Sequence, residues 1–464
     1  MAQSNSTVNI LQVCKVAPPP SASIDSATPK SVPLTFFDIL WLRLPPVQRL
    51  FFYEFTNATT TSFFHSDILP RLKHSLSLTL QHFLPLAGNL IWPKTSHKPV
   101  IVYAEGDAVT LTVAESDADF YRLSGANEVF GAREYHPLVP DLATSHERAA
   151  VLALQVTLFP KSGFSIGMAM HHAVLDGKSV HMFVKSWALT CRSLGSPGQP
   201  PELQPLYDRT VIEDPAGLEA IYTKQLLDLD HGPDNRSLMY WKFNEVSSDS
   251  VRGTFHLTRA RIEKLKQLVI INEQLHTSTY CVTCAYIWVC LVKAEEINED
   301  KTMLVINVDC RSDRLEPPVP LNYFGNCVAN KFVVTETKGL VEKDGLVLAV
   351  KAIGEAIKSL ETNGALTGAE DWALTLMMSS NSDSSTTTPA SRVYSTAGSP
   401  RFEVYNTDFG WGKPRKTDVV SIDRTGAISL SDTRNGDEVE IGLVLKKHHM
   451  EAFSSLFSQG LGMI

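Results

Sequence analysis

A short histidine-containing segment has the residue types and the spacing that proton-transfer chemistry needs. It spans residues 171–177 and reads HHAVLDG. An imidazole titrates near neutral pH, so it can take and return a proton, and a carboxylate nearby can orient it. His172, four residues before Asp176, is the candidate general base. His171 is one residue earlier and should project in another direction, so we expect it to be structural.

The segment lies between a predicted strand and a predicted helix. Bulky and small residues alternate from Phe164 to Met170, which indicates a strand. Apolar residues recur with helical spacing from Val180 to Cys191, and Asp176 lies where the N-cap of that helix would be. His172 is therefore predicted on a loop between two rigid elements, where side chains can face a cleft.

The length and composition predict two domains of the α/β (α+β) class. The chain has 464 residues, 44% of them hydrophobic and 20% charged, which exceeds what one core usually supports. A proline- and glycine-rich stretch begins at Ser193 and has no sustained period. We expect an N-terminal domain over residues 1–192, a crossover linker over 193–224 and a C-terminal domain over 225–464, each with mixed sheets flanked by helices.

Periodicity also predicts elements in the second half. The apolar run from Tyr280 to Val292 is too short to cross a bilayer and indicates a buried helix. Residues 379–391, rich in Ser, Asp and Thr, indicate a surface loop. The remaining predicted strands are Met303–Val308, Phe402–Tyr405, Val419–Ile422 and Val439–Val444, and the remaining predicted helices are Leu340–Leu360 and His449–Leu461.

Charge and composition argue against several partners. The net charge of -8 and the pI near 6.0 provide no attraction to nucleic acid. The polar start of the chain shows neither a secretory signal nor a transit peptide, so we expect a cytoplasmic protein that does not enter a membrane. Seven scattered cysteines indicate reduced thiols, and Cys281-x-x-Cys284 has no second pair to complete a metal site.

A second motif offers a hydrolase alternative. Residues 163–167 read GFSIG, which matches the G-x-S-x-G nucleophile elbow of serine esterases. The elbow requires a sharp turn from strand into helix, but here the strand alternation continues through Ser165. We therefore expect Ser165 to be an ordinary strand residue. A non-catalytic ligand-binding protein is the other alternative.

Two segments together carry a family resemblance. HAVLDG (172–177) and DFGWGKP (408–414) resemble the two signatures of the plant BAHD acyltransferases, in the same order and separation. Three further stretches resemble the branch that transfers malonyl groups to anthocyanin, flavonoid and other phenolic glucosides. They are LTFFD (34–38) continuing to PVQRLFFY (46–53), PLAGNL (85–90) and YFGNC (323–327).

The resemblance implies a fold, a reaction and a set of partners. The fold would be the two-domain one of chloramphenicol acetyltransferase, in a monomer with a channel between the domains. Acyl-CoA, with malonyl-CoA favoured, would be the co-substrate and would meet a phenolic glycoside at His172. The malonyl group would pass directly to a sugar hydroxyl without an acyl-enzyme. Transfer of a coumaroyl or caffeoyl group is the alternative.

The resemblance also implies roles for individual residues. Asp176 would pair with Arg311 and hold the loop, and Asp408 and Trp411 would belong to a structural loop that supports the channel. Other branches place a tryptophan near the position of Ser399 as an oxyanion donor, and this chain has none there, so the donor is unassigned. The proposed contacts to CoA are Arg259, Lys264, Lys266, Ser278, Thr279 and Ser399, the first three being equally compatible with a solvated helix face, and the proposed contacts to a malonyl carboxylate are Lys178 and Arg401.

Overall fold

The computed structural model describes most of the chain. The described residues are 7–20, 28–56, 60–126, 128–194, 200–229, 236–241, 245–273, 278–380 and 392–462. Residues 381–391 of the predicted surface loop therefore lie outside them. Among the helices built from these residues, none is both long and apolar enough to span a membrane.

The described elements alternate strands and helices along the whole chain. The strands are β1 (Val8–Val16), β2 (Ser31–Pro33), β3 (Val47–Glu54), β4 (Asn89–Ile91), β5 (Val100–Val102), β6 (Val109–Ser116), β7 (Phe130–Gly131), β8 (Arg148–Ala150), β9 (Leu152–Phe159), β10 (Gly163–Met170), β11 (Ser250–Thr258), β12 (Lys301–Asp309), β13 (Val328–Glu336), β14 (Arg392–Gly398), β15 (Lys416–Val419), β16 (Ile428–Asp432) and β17 (Glu438–Lys446). The α-helices are α1 (Phe36–Ile39), α2 (Thr61–Phe63), α3 (Leu69–Leu80), α4 (Phe120–Leu123), α5 (Gly177–Arg192), α6 (Leu218–Leu229), α7 (Arg259–Glu273), α8 (Thr279–Ala294), α9 (Thr337–Val341), α10 (Gly345–Thr362), α11 (Trp372–Ser380), α12 (Ile422–Thr425) and α13 (Lys447–Gly462).

The strands form two large mixed sheets and one small sheet. The six-stranded sheet has the order β1-β6-β9-β10-β3-β15, and the seven-stranded sheet has the order β13-β12-β14-β16-β17-β11-β7. A four-stranded sheet, β2-β5-β4-β8, lies beside the first. Helices α3 and α5 pack on the six-stranded sheet, and α7, α8, α10 and α13 pack on the seven-stranded sheet, each around its own apolar core. The expected two-domain α/β architecture is confirmed.

Two strands are exchanged between the halves of the chain. β15 comes late in the sequence but pairs antiparallel with β3 of the six-stranded sheet. β7 comes early but pairs antiparallel with β11 of the seven-stranded sheet. These pairings join backbone segments far apart in the sequence, such as Lys416 with Phe52 and Val251 with Gly131, so each sheet is completed by a segment from the other half.

Several predicted elements are present with adjusted ends. The strand before the histidine pair is β10, the helix after it is α5, and Asp176 is its N-cap. The apolar run predicted as a buried helix is α8. The predicted helix Leu340–Leu360 is divided into α9 and α10.

Two strand predictions require correction. Phe402–Tyr405 is wrong as a strand, because Pro400–Phe402 and Val404–Asn406 form two 3-10 turns joined by Glu403, whose φ of 50° is incompatible with an extended chain. The strand predicted over Val419–Ile422 instead ends at Val419, and the helix α12 begins at Ile422.

The exchanged strand β15 is held by a buried ion pair. The Arg252 Nη1 atom of β11 lies 2.7 Å from Asp418 Oδ1, and both side chains are at most 5% exposed. Arg252 also donates to the carbonyls of Val419 and Val420 at 3.0 and 2.8 Å. This contact joins β11 of the seven-stranded sheet to β15, the last strand of the six-stranded sheet.

We predict that Asp418→Ala lowers the free energy of unfolding by about 3 kcal/mol, because it leaves a buried guanidinium uncompensated. The two carbonyl acceptors that Arg252 keeps place this value at the lower end of the usual range. Urea unfolding of the intact chain measures the difference.

The control for this prediction lies on the same strand. Arg415 of the β15 segment pairs with Glu54 of β3 at 3.0 Å, and both side chains are about a third exposed. Glu54→Ala should cost less than about 1 kcal/mol, because water screens an exposed pair. Equal losses in the two variants would refute a special role for the buried pair.

Candidate active site

His172 lies where the loop after β10 meets residues from both halves of the chain. Its imidazole is stacked on the indole ring of Trp41, with ring centroids 4.3 Å apart and planes 7° from parallel. Its Nδ1 atom is buried, whereas the residue as a whole is half-buried. The other ring nitrogen, Nε2, is therefore the one that a substrate can reach.

The backbone of His172 is held by a second pair of residues. Asn326 Nδ2 donates to the His172 carbonyl at 2.9 Å and to Asp38 Oδ1 at 3.0 Å. Asp38, in α1, accepts a further bond from the Asn326 backbone N–H and is fully buried. The LTFFD and YFGNC stretches thus meet at the catalytic loop, and this contact fixes the position of the histidine.

Burial keeps the imidazoles of the histidine pair uncharged. Desolvation lowers the pKa of His172 to about 4, and the charge of Arg49 lowers it further, whereas a backbone hydrogen bond and Asp176 oppose the shift. Desolvation also lowers the pKa of His171 to about 3. His171 is fully buried, and its Nδ1 accepts a hydrogen bond from the Ala173 N–H at 3.3 Å. At neutral pH, His172 therefore has a lone pair free to accept a proton.

Asp176 faces Arg311 instead of the imidazole. Arg311 Nη1 lies 2.8 Å from Asp176 Oδ2, and both side chains are buried. The same oxygen accepts from the Cys327 N–H at 3.1 Å, and Oδ1 accepts from the Ser179 N–H at 2.9 Å. The carboxylate thus caps α5 and binds the arginine that follows β12 in the other half of the chain.

Arg311 has further partners around that carboxylate. Its guanidinium donates to the carbonyls of Tyr323 and Gly325 at 3.0 and 2.8 Å and to Asp309 Oδ1 at 2.8 Å. Ser179 Oγ donates to the Gly325 carbonyl at 2.9 Å. The loop with the histidine and the YFGNC segment are therefore joined by one continuous hydrogen-bond network.

The DFGWG segment packs on the six-stranded sheet and its helices. Asp408 Oδ1 accepts from the N–H groups of Gly410 and Gly412, at 2.7 and 2.9 Å, and closes the loop on itself. Both glycines have positive φ, 109° and 99°, which other residues rarely adopt. Trp411 lies under the guanidinium of Arg71, 4.7 Å from its ring centroid. These contacts hold the loop together and join it to the neighbouring helix α3.

The residues of the two competing motifs have no chemical role that the structure supports. Ser165 is fully buried in the middle of β10, between Phe52 of β3 and Thr157 of β9. It occupies no strand-to-helix turn, so the nucleophile-elbow interpretation is wrong. Cys284 is buried in α8, which raises the pKa of its thiol, and the described residues contain no cluster of three or more metal-ligating side chains.

The residues suggested for CoA binding lie on the C-terminal half and are not brought to His172 by any contact that the structure records. Arg259 and Lys264 are exposed on α7, and Lys266 forms an ion pair with Glu263 at 2.9 Å. Ser278 caps α8 by accepting from the Cys281 N–H, and Thr279 is exposed. Ser399 Oγ accepts from the Arg401 N–H at 3.2 Å.

The two cations suggested for a malonyl carboxylate differ in surroundings. Lys178 Nζ lies 3.0 Å from Asp309 Oδ2, so it is already paired. Arg401 is exposed to solvent.

Three residues of the site were not assigned from the sequence. Asn326 and Asp38 lie within recognised motifs, but nothing in those motifs indicated that they hold His172. Trp41 carried no signal, because its stacking on the imidazole depends on how α1 and β10 meet in space. Only a prediction of the tertiary packing would have found them.

Comparison with known proteins assigns the family. A family model described as the Transferase family matches residues 20–459. Phenolic glucoside malonyltransferase 1 of Arabidopsis thaliana is 40% identical, over 99% of this chain and 99% of its own length. Agmatine coumaroyltransferase of the same plant is 38% identical, over 98% of this chain and 99% of its own length. The crystal structure of vinorine synthase shares the fold, with a TM-score of 0.70, 21% identity and coverage of 97% of this chain and 98% of that one.

The match extends over nearly the whole chain and includes both signature segments, whose geometry is described above. The chain therefore belongs to the BAHD acyltransferases, enzymes that take their acyl groups from acyl-CoA.

Proposed function

We propose that this enzyme transfers a malonyl group from malonyl-CoA to a sugar hydroxyl of a phenolic glucoside. The observation that carries the proposal is the half-buried, uncharged imidazole of His172, together with an aspartate whose oxygens are occupied by Arg311 and two backbone N–H groups. Such an imidazole is suited to act alone as a base. Similarity to the Arabidopsis phenolic glucoside malonyltransferase supports the choice of donor and acceptor.

In the proposed mechanism, one imidazole serves both halves of the reaction. His172 Nε2 accepts the proton of the acceptor hydroxyl as that oxygen attacks the thioester carbonyl. The tetrahedral intermediate then collapses, the carbon–sulfur bond breaks, and the imidazolium returns the proton to the departing sulfur. The products are an ester and free CoA, and no acyl group is attached to the protein.

Asp176 and Arg311 have a positioning role in this proposal. Their ion pair fixes the loop that carries His172, and Asn326 fixes the same loop through the His172 carbonyl. Small errors in the placement of a base are costly, because the attacking hydroxyl must be close to both the base and the carbonyl.

The basic residues of α7 have a separate role in the proposal. Arg259, Lys264 and Lys266 would attract the phosphates of CoA to an otherwise acidic protein, and Ser278, Thr279 and Ser399 would line the pantetheine path.

Transfer of a coumaroyl group is the second candidate. It is supported by the similarity to agmatine coumaroyltransferase, which is almost as high as the similarity to the malonyltransferases.

We predict that the purified protein, mixed with malonyl-CoA and a flavonoid glucoside, releases CoA thiol and forms an acylated glucoside. His172→Ala should lower the rate by about 1000-fold, because general-base catalysis contributes about that much. Thiol release gives the rate, and the mass of the product identifies the acyl group. Coumaroyl-CoA is tested in parallel.

Ser165→Ala is the control variant for that experiment, and we expect it to retain full activity because the hydroxyl is buried in β10. Absence of transfer from any acyl-CoA, together with hydrolysis of phenolic esters that Ser165→Ala abolishes, would contradict the proposal.

We predict that Asp176→Asn and Arg311→Met each lower kcat by about 100-fold, the loss expected when a base is misplaced. The double variant should lose no more than either single one, because both substitutions break the same contact. Steady-state kinetics of the four proteins measure this coupling.

Asp214→Asn provides a matched control, because Asp214 also caps a helix, α6, by accepting from the Leu218 and Glu219 N–H groups. Its kcat should stay within about twofold of the wild-type value. Additive losses in the Asp176 and Arg311 variants would argue against a shared positioning role.

We predict that the acid limb of kcat/KM lies near pH 4 instead of pH 6.5. The base is active when neutral, and burial lowers the pKa of His172 to about 4, so the neutral form persists as the pH falls through the usual range of histidine. The measurement is a pH profile at limiting acyl-CoA. Circular dichroism at each pH separates loss of activity from acid unfolding, and a limb above pH 6 with the fold intact would be inconsistent with a desolvated base.

A further inference from the structure

A second buried arginine lies beside the histidine loop, and the structure records no counterion for it among the described residues. Arg49 is in the middle of β3, flanked by Met168 of β10 and Val419 of β15. It is 7% exposed, and its Nε atom has no hydrogen-bond partner. Among the described residues, no carboxylate lies within ion-pair distance of it. Burial lowers its pKa only to about 10, so it remains charged at neutral pH.

This arrangement is costly to the folded protein. A buried charge without a partner is strongly unfavourable, because the interior replaces none of the lost hydration. Arg252, the other arginine beside β15, has a carboxylate and two carbonyls as partners. Arg49 has no comparable partner in the part of the chain that the structure describes, so a bound anion is a candidate for that role.

The space next to Arg49 is shaped by the first residue of α5. A methyl group added at Gly177 would lie 3.7 Å from Arg49 Nη2 and 2.7 Å from the ring of Phe402. Gly177 therefore leaves a narrow gap between the guanidinium and that ring. The N-terminus of α5 lies there too, with Asp176 as its cap.

His181, one turn further along α5, faces the same region. It is buried, neither of its ring nitrogens has a partner, and its ring lies 5.2 Å from that of Phe402. Desolvation lowers the pKa of His181, and the charges of Arg49 and Lys185 lower it further. Two unsatisfied side chains that can donate hydrogen bonds thus meet at one helix terminus, an environment that favours an anion.

The gap is close to the reacting atoms. Arg49 is near enough to His172 to lower its pKa, and Gly177 and His172 are both half-buried residues of the same loop. In a malonyl thioester, a single methylene separates the free carboxylate from the carbonyl that is attacked. A cation that binds this carboxylate must therefore lie beside the base, as Arg49 does.

We propose that Arg49, supported by His181, binds the free carboxylate of the malonyl group and so determines the preference for malonyl-CoA over uncharged acyl-CoA donors. This inference rests on the proposed function and specifies its donor subsite. It assigns the role to Arg49 in preference to Lys178, which is neutralised by Asp309, and Arg401, which water screens.

The test compares malonyl-CoA with acetyl-CoA, which lacks only the carboxylate. Arg49→Met should lower kcat/KM for malonyl-CoA by about 100-fold, as expected for loss of a buried charge pair, and should change kcat/KM for acetyl-CoA by less than about threefold. Arg49→Lys should recover part of the malonyl activity. Thiol release with a phenolic glucoside as acceptor measures all of these rates.

Lys185→Gln is the matched control, because it removes another cation near His181 without touching the gap. Lys185 pairs with Glu403 at 3.2 Å, and we expect its loss to leave the ratio of malonyl to acetyl transfer unchanged.

A binding measurement separates this inference from the proposed function. Calorimetry should show that the wild-type protein binds malonyl-CoA more tightly than acetyl-CoA and that Arg49→Met binds the two equally. The unliganded variant should melt no lower than the wild type, because it loses an unpaired buried charge. Lower stability of the variant, or equal losses with both donors, would overturn the inference.

Turnover by the wild-type protein tests the proposed function independently. Failure to transfer any acyl group would overturn that proposal, whereas coumaroyl transfer without tighter binding of malonyl-CoA would overturn the carboxylate site alone.

Discussion

The ion pair between Asp176 and Arg311 is the constraint on which the site depends. One partner follows β10 in the first half of the chain and the other follows β12 in the second half, and both are buried. A buried pair contributes little net stability, but its geometry is demanding, because each charge must keep all of its hydrogen bonds. The two halves can therefore approach in only one way that satisfies both residues. The position of the base, where residues of the two halves meet, follows from that fit.

Because Asp176 binds Arg311 and caps α5, it does not bond to the imidazole of His172, and this helps to keep the imidazole uncharged. A carboxylate bonded to His172 would stabilise its protonated form, whereas here that carboxylate is bonded to Arg311 and two backbone N–H groups. The ring is instead held by the face of Trp41 and by its own backbone, through Asn326. The contacts that orient the imidazole therefore do not include a carboxylate that would favour its protonated form. A neutral base that is fixed without a counterion can be rigid and still receive a proton.

The sequence predicted the local part of this arrangement and missed the distant part. Strand β10 and helix α5 follow from periodicities within about twenty residues, and Asp176 was placed correctly as the cap because capping is a local interaction. The pairing of Asp176 with Arg311 came only from resemblance to a family. The exchange of β15 into the first sheet was not predicted, because the sequence of a four-residue strand does not indicate which strand it will pair with. The strand predicted over Phe402–Tyr405 was wrong because its apolar residues indicate a strand, whereas the positive φ of Glu403, which breaks the extended chain, cannot be seen in the sequence.

The exchanged strand also connects the fold to the donor specificity inferred above. β15 brings Val419 against Arg49, and the next residues accept hydrogen bonds from Arg252, so one short strand lies beside both buried arginines. Arg252 has a carboxylate and two carbonyls as partners for its terminal nitrogens, and it holds the two sheets together. Arg49 is in the interior with no carboxylate of the described chain to balance it, and folding alone would favour an apolar residue at that position. Natural proteins keep such local costs mainly where function requires them. An unpaired guanidinium at the end of a helix, one loop away from the base, is therefore better explained by a charged substrate than by stability.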